Sequence, residues 1–140
     1  RKDSIKVWGF WNILGEEAFG RPSEEEIRPW YWAWSLMCRY FPKGCDINAV
    51  ELIGSGELRA CAAESDGRHT VAVVNWSSED VQISMQVPYT FLNASVYVYE
   101  ESGAYRDTEG GLVPSYTGIC GDAVSVNVPA QSLTVITDMQ

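Results

Sequence analysis

The stretch Val124-Ser125-Val126-Asn127-Val128 alternates apolar and polar side chains. In an extended chain successive side chains point to opposite faces, so the valines share one face and the polar groups the other. Val96-Tyr97-Val98-Tyr99 repeats the same period, with two tyrosines on the second face. A period of two is the mark of half-buried strands.

Working outward, candidate strands run over 46–53, 57–64, 69–76, 80–87, 93–100, 122–128 and 131–138. Turn signals separate them: Gly54-Ser55-Gly56, Ser65-Asp66-Gly67, Ser77-Ser78, Ser102-Gly103 and Gly110-Gly111. Glycine supplies positive φ at such places, and Asp or Ser bonds its own backbone. Short strands at this spacing predict a mainly β fold, an antiparallel β-sandwich of Ig-like type over 45–140. Residues 101–121 form the longest stretch without a strand pattern, and long loops are often functional.

Upstream of Gly44 the text changes. Residues 5–11 read as one strand, nearly continuous in apolar side chains, which suits a strand buried on both faces of a parallel sheet. A loop follows, with Gly15 and Gly20. Ser23 with Glu26 three residues on is a capping-box pattern, and Glu24-Glu25-Glu26 suits a positive helix end. Pro29 belongs at a first turn, so the main helix is predicted over 29–41. Trp30, Trp34, Met37, Cys38 and Phe41 recur at helical spacing and predict its apolar face. Pro42 and Gly44 end it. The helix runs straight into the first strand, so the two parts are expected to pack together. The sandwich can cover the helix. It cannot supply neighbours to the strand, which is expected to belong to a larger sheet upstream or to another chain.

The sequence has 140 residues, 46 % of them hydrophobic, enough for one core with a short appendage. No apolar run approaches the ~20 residues of a membrane span, and no signal-peptide pattern opens the sequence. It begins at Arg1 rather than Met, which suggests a fragment. A net charge of -9 argues against nucleic-acid and anionic-membrane partners, which call for clustered cations. Cys38, Cys45, Cys61 and Cys120 form no C-x-x-C pair, which argues against a zinc site. They are expected to be buried free thiols, with a Cys38–Cys45 bridge as the alternative. Asn75-Trp76-Ser77 and Asn93-Ala94-Ser95 match the N-glycosylation acceptor pattern.

Val7-Trp8-Gly9-Phe10-Trp11-Asn12, followed by a loop with Glu16-Glu17 and then Arg28-Pro29-Trp30-Tyr31-Trp32-Ala33-Trp34-Ser35-Leu36, resembles the eighth strand and eighth helix of a clan-A glycoside hydrolase barrel. Arg39-Tyr40-Phe41-Pro42-Lys43-Gly44 resembles the exit of such a barrel into a C-terminal β-sandwich. Val71-Ala72-Val73-Val74-Asn75 and Pro129-Ala130-Gln131-Ser132-Leu133-Thr134-Val135 resemble strands of that sandwich, the second its closing strand. The pattern is similar to families 30 and 39. The resemblance implies that 1–44 is the end of a (β/α)8 barrel and 45–140 a non-catalytic accessory domain. It implies a partner, the catalytic barrel of the same parent chain, and places the catalytic carboxylates upstream of Arg1. No cofactor is implied.

Site candidates are few. Trp11 falls at the C-terminal end of the 5–11 strand, where barrel active sites are built, and its indole suits a sugar ring; core packing is the alternative. Trp76 closes a strand before Ser77-Ser78 and is a second candidate for a saccharide contact. Trp30, Trp32 and Trp34 fan out around a helix and are expected in core or domain-interface packing. The Tyr97 and Tyr99 face is expected against a neighbouring strand or the helix, with ligand binding the alternative. Glu16 and Glu17 are neighbours in a loop and point apart, unlike a retaining glycosidase pair. His69, the only histidine, rules out a histidine-based triad or metal site and is expected at the surface. Two rival readings stand beside the accessory domain: an independent carbohydrate-binding module, and an adhesion or interaction sandwich unrelated to sugars.

Overall fold

The computed structural model describes residues 30–54, 56–100, 103–108 and 111–139. The predicted strand 5–11 and the loop with Glu16 and Glu17 lie outside these residues. Helix α1 (Trp30–Tyr40) is followed by β1 (Asp46–Ala49), β2 (Leu58–Ser65), β3 (Arg68–Asn75), β4 (Val81–Glu100), β5 (Gly103–Ala104), β6 (Tyr116–Val128) and β7 (Ser132–Thr137). All strand pairings are antiparallel, in a 7-stranded sheet ordered β1-β2-β3-β7-β4-β5, with β6 joined to β4. The mainly β fold and its sandwich-like layering agree with the sequence pattern.

One long strand makes the two layers. The second half of β4 pairs with β7, Ser95 opposite Thr137 through Tyr99 opposite Leu133. Its first half pairs with β6, Val81 opposite Val128 through Gln86 opposite Ala123. Register shifts between Gln86 and Ser95 let the strand bend from one layer into the other. On the β6 side, Gly118 (φ 92) and Gly121 (φ 104) take backbone angles that side chains resist. The sequence pattern predicted separate strands at 80–87 and 93–100; they are one bent strand. Pro88, which cannot donate to a ladder, sits within the shifted region.

The main core lies between the layers. Val71 and Val73 of β3, Val96 and Val98 of β4, and Ile136 of β7 meet Val124, Val126 and Val128 of β6, with Phe91 fully buried at the bend. Alternate residues of the same strands face the other way. Ala72, Tyr97, Tyr99, Leu133 and Val135 form a second cluster with Leu36, Met37, Tyr40 and Phe41 of the helix. The helix therefore covers the outer face of the sheet. Burial on both faces explains why 71–74 reads as an unbroken apolar run.

The helical face overlaps the predicted one only in part. Met37 and Phe41 pack on the sheet as predicted, but Trp32, Ala33, Leu36 and Tyr40 are the buried residues, Trp34 is half-buried, and Cys38 is exposed. Trp34 and Cys38 follow one stripe of the helix and Trp32, Leu36 and Tyr40 another. Sequence spacing alone does not say which stripe meets the sheet. Tyr40 was the deciding partner, since its ring packs on Tyr97 at 5.0 Å.

Three further expectations are corrected. Strand β1 stops at Ala49, and the chain to Leu58 is irregular. The described residues between 103 and 121 are more ordered than the sequence suggests: Arg106 bridges Leu112, the Asp107 amide donates to the Gly111 carbonyl while the Asp107 carboxylate accepts from the Gly111 amide, and β6 begins at Tyr116. The cysteines are free thiols, but Cys38 and Cys120 are exposed; burial pushes the Cys45 and Cys61 thiols up. The Asp66-Gly67 turn follows the sequence signal, with φ of 52 and 71 and Ser65 opposite Arg68.

Candidate functional site

Trp76 leaves the end of β3 with 69 % of its surface exposed. Its backbone is held firmly. The Trp76 amide donates to the Glu57 carbonyl at 3.0 Å, which ties the turn to the start of β2. Immediately before it, Asn75 is 1 % exposed and anchors the turn from below. Asn75 Nδ2 donates to the carbonyls of Glu79 (2.8 Å), Val128 (3.2 Å) and Pro129 (2.9 Å). Its Oδ1 accepts from the Ser77 amide (2.9 Å) and the Ser77 hydroxyl (2.7 Å). An asparagine accepting from the amide two residues on is the Asx turn, which fixes a backbone turn with a side chain.

The neighbouring turn is locked to the same unit. The Gln131 amide donates to the Ser77 carbonyl at 3.1 Å, and Gln131 takes a φ of 47. Asp80 Oδ1 accepts from the Ala130 amide at 2.9 Å. The result is a hydrogen-bonded edge presenting one indole, with Glu57, Ser78, Glu79 and Gln131 exposed on the segments bonded to one another there. The loop between β1 and β2 ends at the same edge and carries Ile53, 93 % exposed, and Leu52, 38 % exposed. The sequence reading picked Trp76 but missed Asn75, whose acceptor pattern conceals a structural amide. With its nitrogen donating to three carbonyls, Asn75 has no room for a glycan in the folded chain. Asn93, by contrast, is exposed beside the β4 bulge.

The other candidates sort as follows. Trp11 lies outside the described residues. Tyr97 and Tyr99 pack under the helix, so that face is core. Trp32 is 7 % exposed, meets Tyr31 edge-on at 5.0 Å and lies under the Arg106 guanidinium at 5.1 Å. That arrangement clips Arg106, just after β5, onto the start of the helix through a cation–π contact.

His69 is mostly buried rather than at the surface. It stacks on Tyr89 at 3.5 Å, with planes 9° apart, and its Nε2 is 4.0 Å from Glu64 Oε2. The Asp138 carboxylate accepts from the His69 amide at 2.7 Å. Burial, then the charges of Asp138 and Glu64, push the Tyr89 phenol up to about 12. This cluster ties β3, β4 and the end of β7 together. Among the described residues no group of three or more His, Cys, Asp or Glu is placed to hold a metal. No helix among them is long and apolar enough to cross a membrane.

With this geometry in view, the comparisons with known proteins concern the fold. No family model matches the sequence, and no curated protein matches it. Among solved structures, the chain is similar to a GH30 endoxylanase from Clostridium papyrosolvens C71, with a TM-score of 0.65 and 12 % identity over 81 % of this chain. A glycoside hydrolase family 30 subfamily 8 xylanase from Clostridium acetobutylicum gives 0.65 at 14 % identity over 80 % of the chain. The catalytic domain of a GH30 xylanase C from Talaromyces cellulolyticus gives 0.58 at 16 % identity. The chain spans 28 % of the length of the two clostridial structures. It shares its fold with a part of family 30 glycoside hydrolases. At these identities the likeness is one of fold.

Proposed function

We propose that this chain is the non-catalytic C-terminal β-sandwich of a glycoside hydrolase, packed on the (β/α)8 barrel of the same parent chain and stabilising it for the hydrolysis of O-glycosidic bonds. The observation that carries this reading is that about four-fifths of the chain follows the fold of a little over a quarter of family 30 xylanases. The resemblance of 28–36 to a barrel's eighth helix and of 39–44 to its exit supports it, because α1 lies on the sheet through Leu36 and Tyr40. A helix held this way ties whatever precedes it to the sandwich. The boundary near residue 44 and a saccharide contact by Trp11 belong to the same proposal.

The test is a cleavage assay on aryl glycosides with this chain and with its full-length parent. Turnover by the parent and none by the chain alone is expected. Turnover by the chain alone overturns the reading and returns attention to Glu16 and Glu17.

A further inference from the structure

We infer that the turn carrying Trp76 is a binding edge for neutral saccharide chains, with the indole as its stacking surface. This inference stands apart from the barrel reading, since it concerns only the described sandwich.

An indole with 69 % of its surface in water adds little to the stability of the fold. The turn does not rely on it: Asn75 holds the loop through its buried amide, and the Trp76 backbone bonds Glu57. The side chain is thus spared structural duty while its base is immobilised. That combination favours binding, because a preorganised aromatic loses little conformational freedom when a ligand covers it.

The surroundings define the ligand class. A pyranose offers an apolar C–H face and an equatorial rim of hydroxyls. The indole suits the face. Ser78 and Glu79, exposed on the same turn, and Gln131, exposed on the turn bonded to it through the Ser77 carbonyl, offer acceptors and a donor amide suited to the rim. The exposed carboxylate of Glu79, within a chain of net charge -9, repels polyanions. Uncharged glycans are therefore favoured over uronic-acid polymers and sulfated ones. The edge is open rather than a pocket, which suits the side of a long chain more than a single residue at its end.

The experiment uses the 140-residue chain in affinity electrophoresis through neutral arabinoxylan and mixed-linkage β-glucan, with polygalacturonate as the anionic comparator. Retardation by at least one neutral polymer and none by polygalacturonate is expected. Trp76→Ala is expected to weaken that binding by at least about tenfold, and Trp76→Phe to retain part of it. Unfolding midpoints of both variants should match the parent sequence, separating lost binding from lost folding. Absence of retardation by either neutral polymer, or equal retardation of Trp76→Ala, overturns the inference. So does oxidative footprinting of the full-length parent that finds Trp76 shielded without saccharide, because the edge is then a protein contact. An inactive parent on aryl glycosides would sink the barrel reading and leave this binding intact.

Discussion

The Tyr40 and Tyr97 rings lie 5.0 Å apart with their planes 37° from each other. One ring comes from the helix and the other from β4, so this pair fastens α1 to the sheet. Tyr40 is 2 % exposed. Tyr97→Ala removes that packing; a loss of about 2 kcal/mol in urea denaturation is expected. No change in stability would show that the ring pair adds nothing to the junction.

The tryptophans of the helix should separate by burial. Trp32 is 7 % exposed and sandwiched by Tyr31 and Arg106. Trp32→Ala is expected to cost about 3–5 kcal/mol. Trp34 is half-buried, so Trp34→Ala should cost about 1–2 kcal/mol in the same chain, following the smaller area removed from water. Equal losses would show that the helix sits on a different face.

Asn75 holds two turns with one amide. Asn75→Ala removes donors from three carbonyls and an acceptor from Ser77. A cost of about 2–4 kcal/mol is expected in thermal or urea melts. Hydrogen exchange should report the damage locally, with the Ser77 and Gln131 amides losing protection before those of β2.

Thr134 offers the opposite case. It is 0 % exposed on β7, and its Oγ1 has no hydrogen-bond partner. Val73 and Val98 lie opposite it in the flanking strands. Thr134→Val swaps a buried, unsatisfied hydroxyl for a methyl of similar size. A gain of about 1 kcal/mol is expected. The same swap at Thr70, whose hydroxyl pairs with that of Thr137 at 2.6 Å, should instead destabilise.

Alkaline pH should loosen the end of the sandwich at His69. In the unfolded chain Tyr89 loses its proton near ~10; in the fold, burial and the charges of Asp138 and Glu64 move that to about 12. Between those values the unfolded state binds fewer protons, so rising pH favours unfolding. The contribution is complete below pH ~10 and gone above about 12. Buried Tyr40 is shifted in the same direction. Denaturation midpoints should fall over this window, and Tyr89→Phe should shrink the fall.

Much of the architecture was legible because strands announce themselves locally. Predicted strand 57–64 corresponds to Leu58–Ser65, 69–76 to Arg68–Asn75 and 131–138 to Ser132–Thr137. Helix 29–41 corresponds to Trp30–Tyr40. The misses share a cause. The bend of β4 and the stripe of the helix that meets the sheet both depend on contacts between distant parts of the chain. The candidate site was half legible: an exposed strand-end tryptophan could be picked out, while the asparagine beneath it carried a glycosylation pattern that masked its buried role.

Periodicity along the chain by itself determined that this protein is a β-sandwich led by an amphipathic helix, because a period of two or of 3.6 is written into neighbouring residues. Only the tertiary structure decided which faces are core and which meet solvent. Tyr97 and Trp76 are both aromatics of β-strand sequence. One is held against Tyr40 of the helix and the other stands in water, and that difference arises from the helix crossing one part of the sheet and leaving the turn after β3 uncovered.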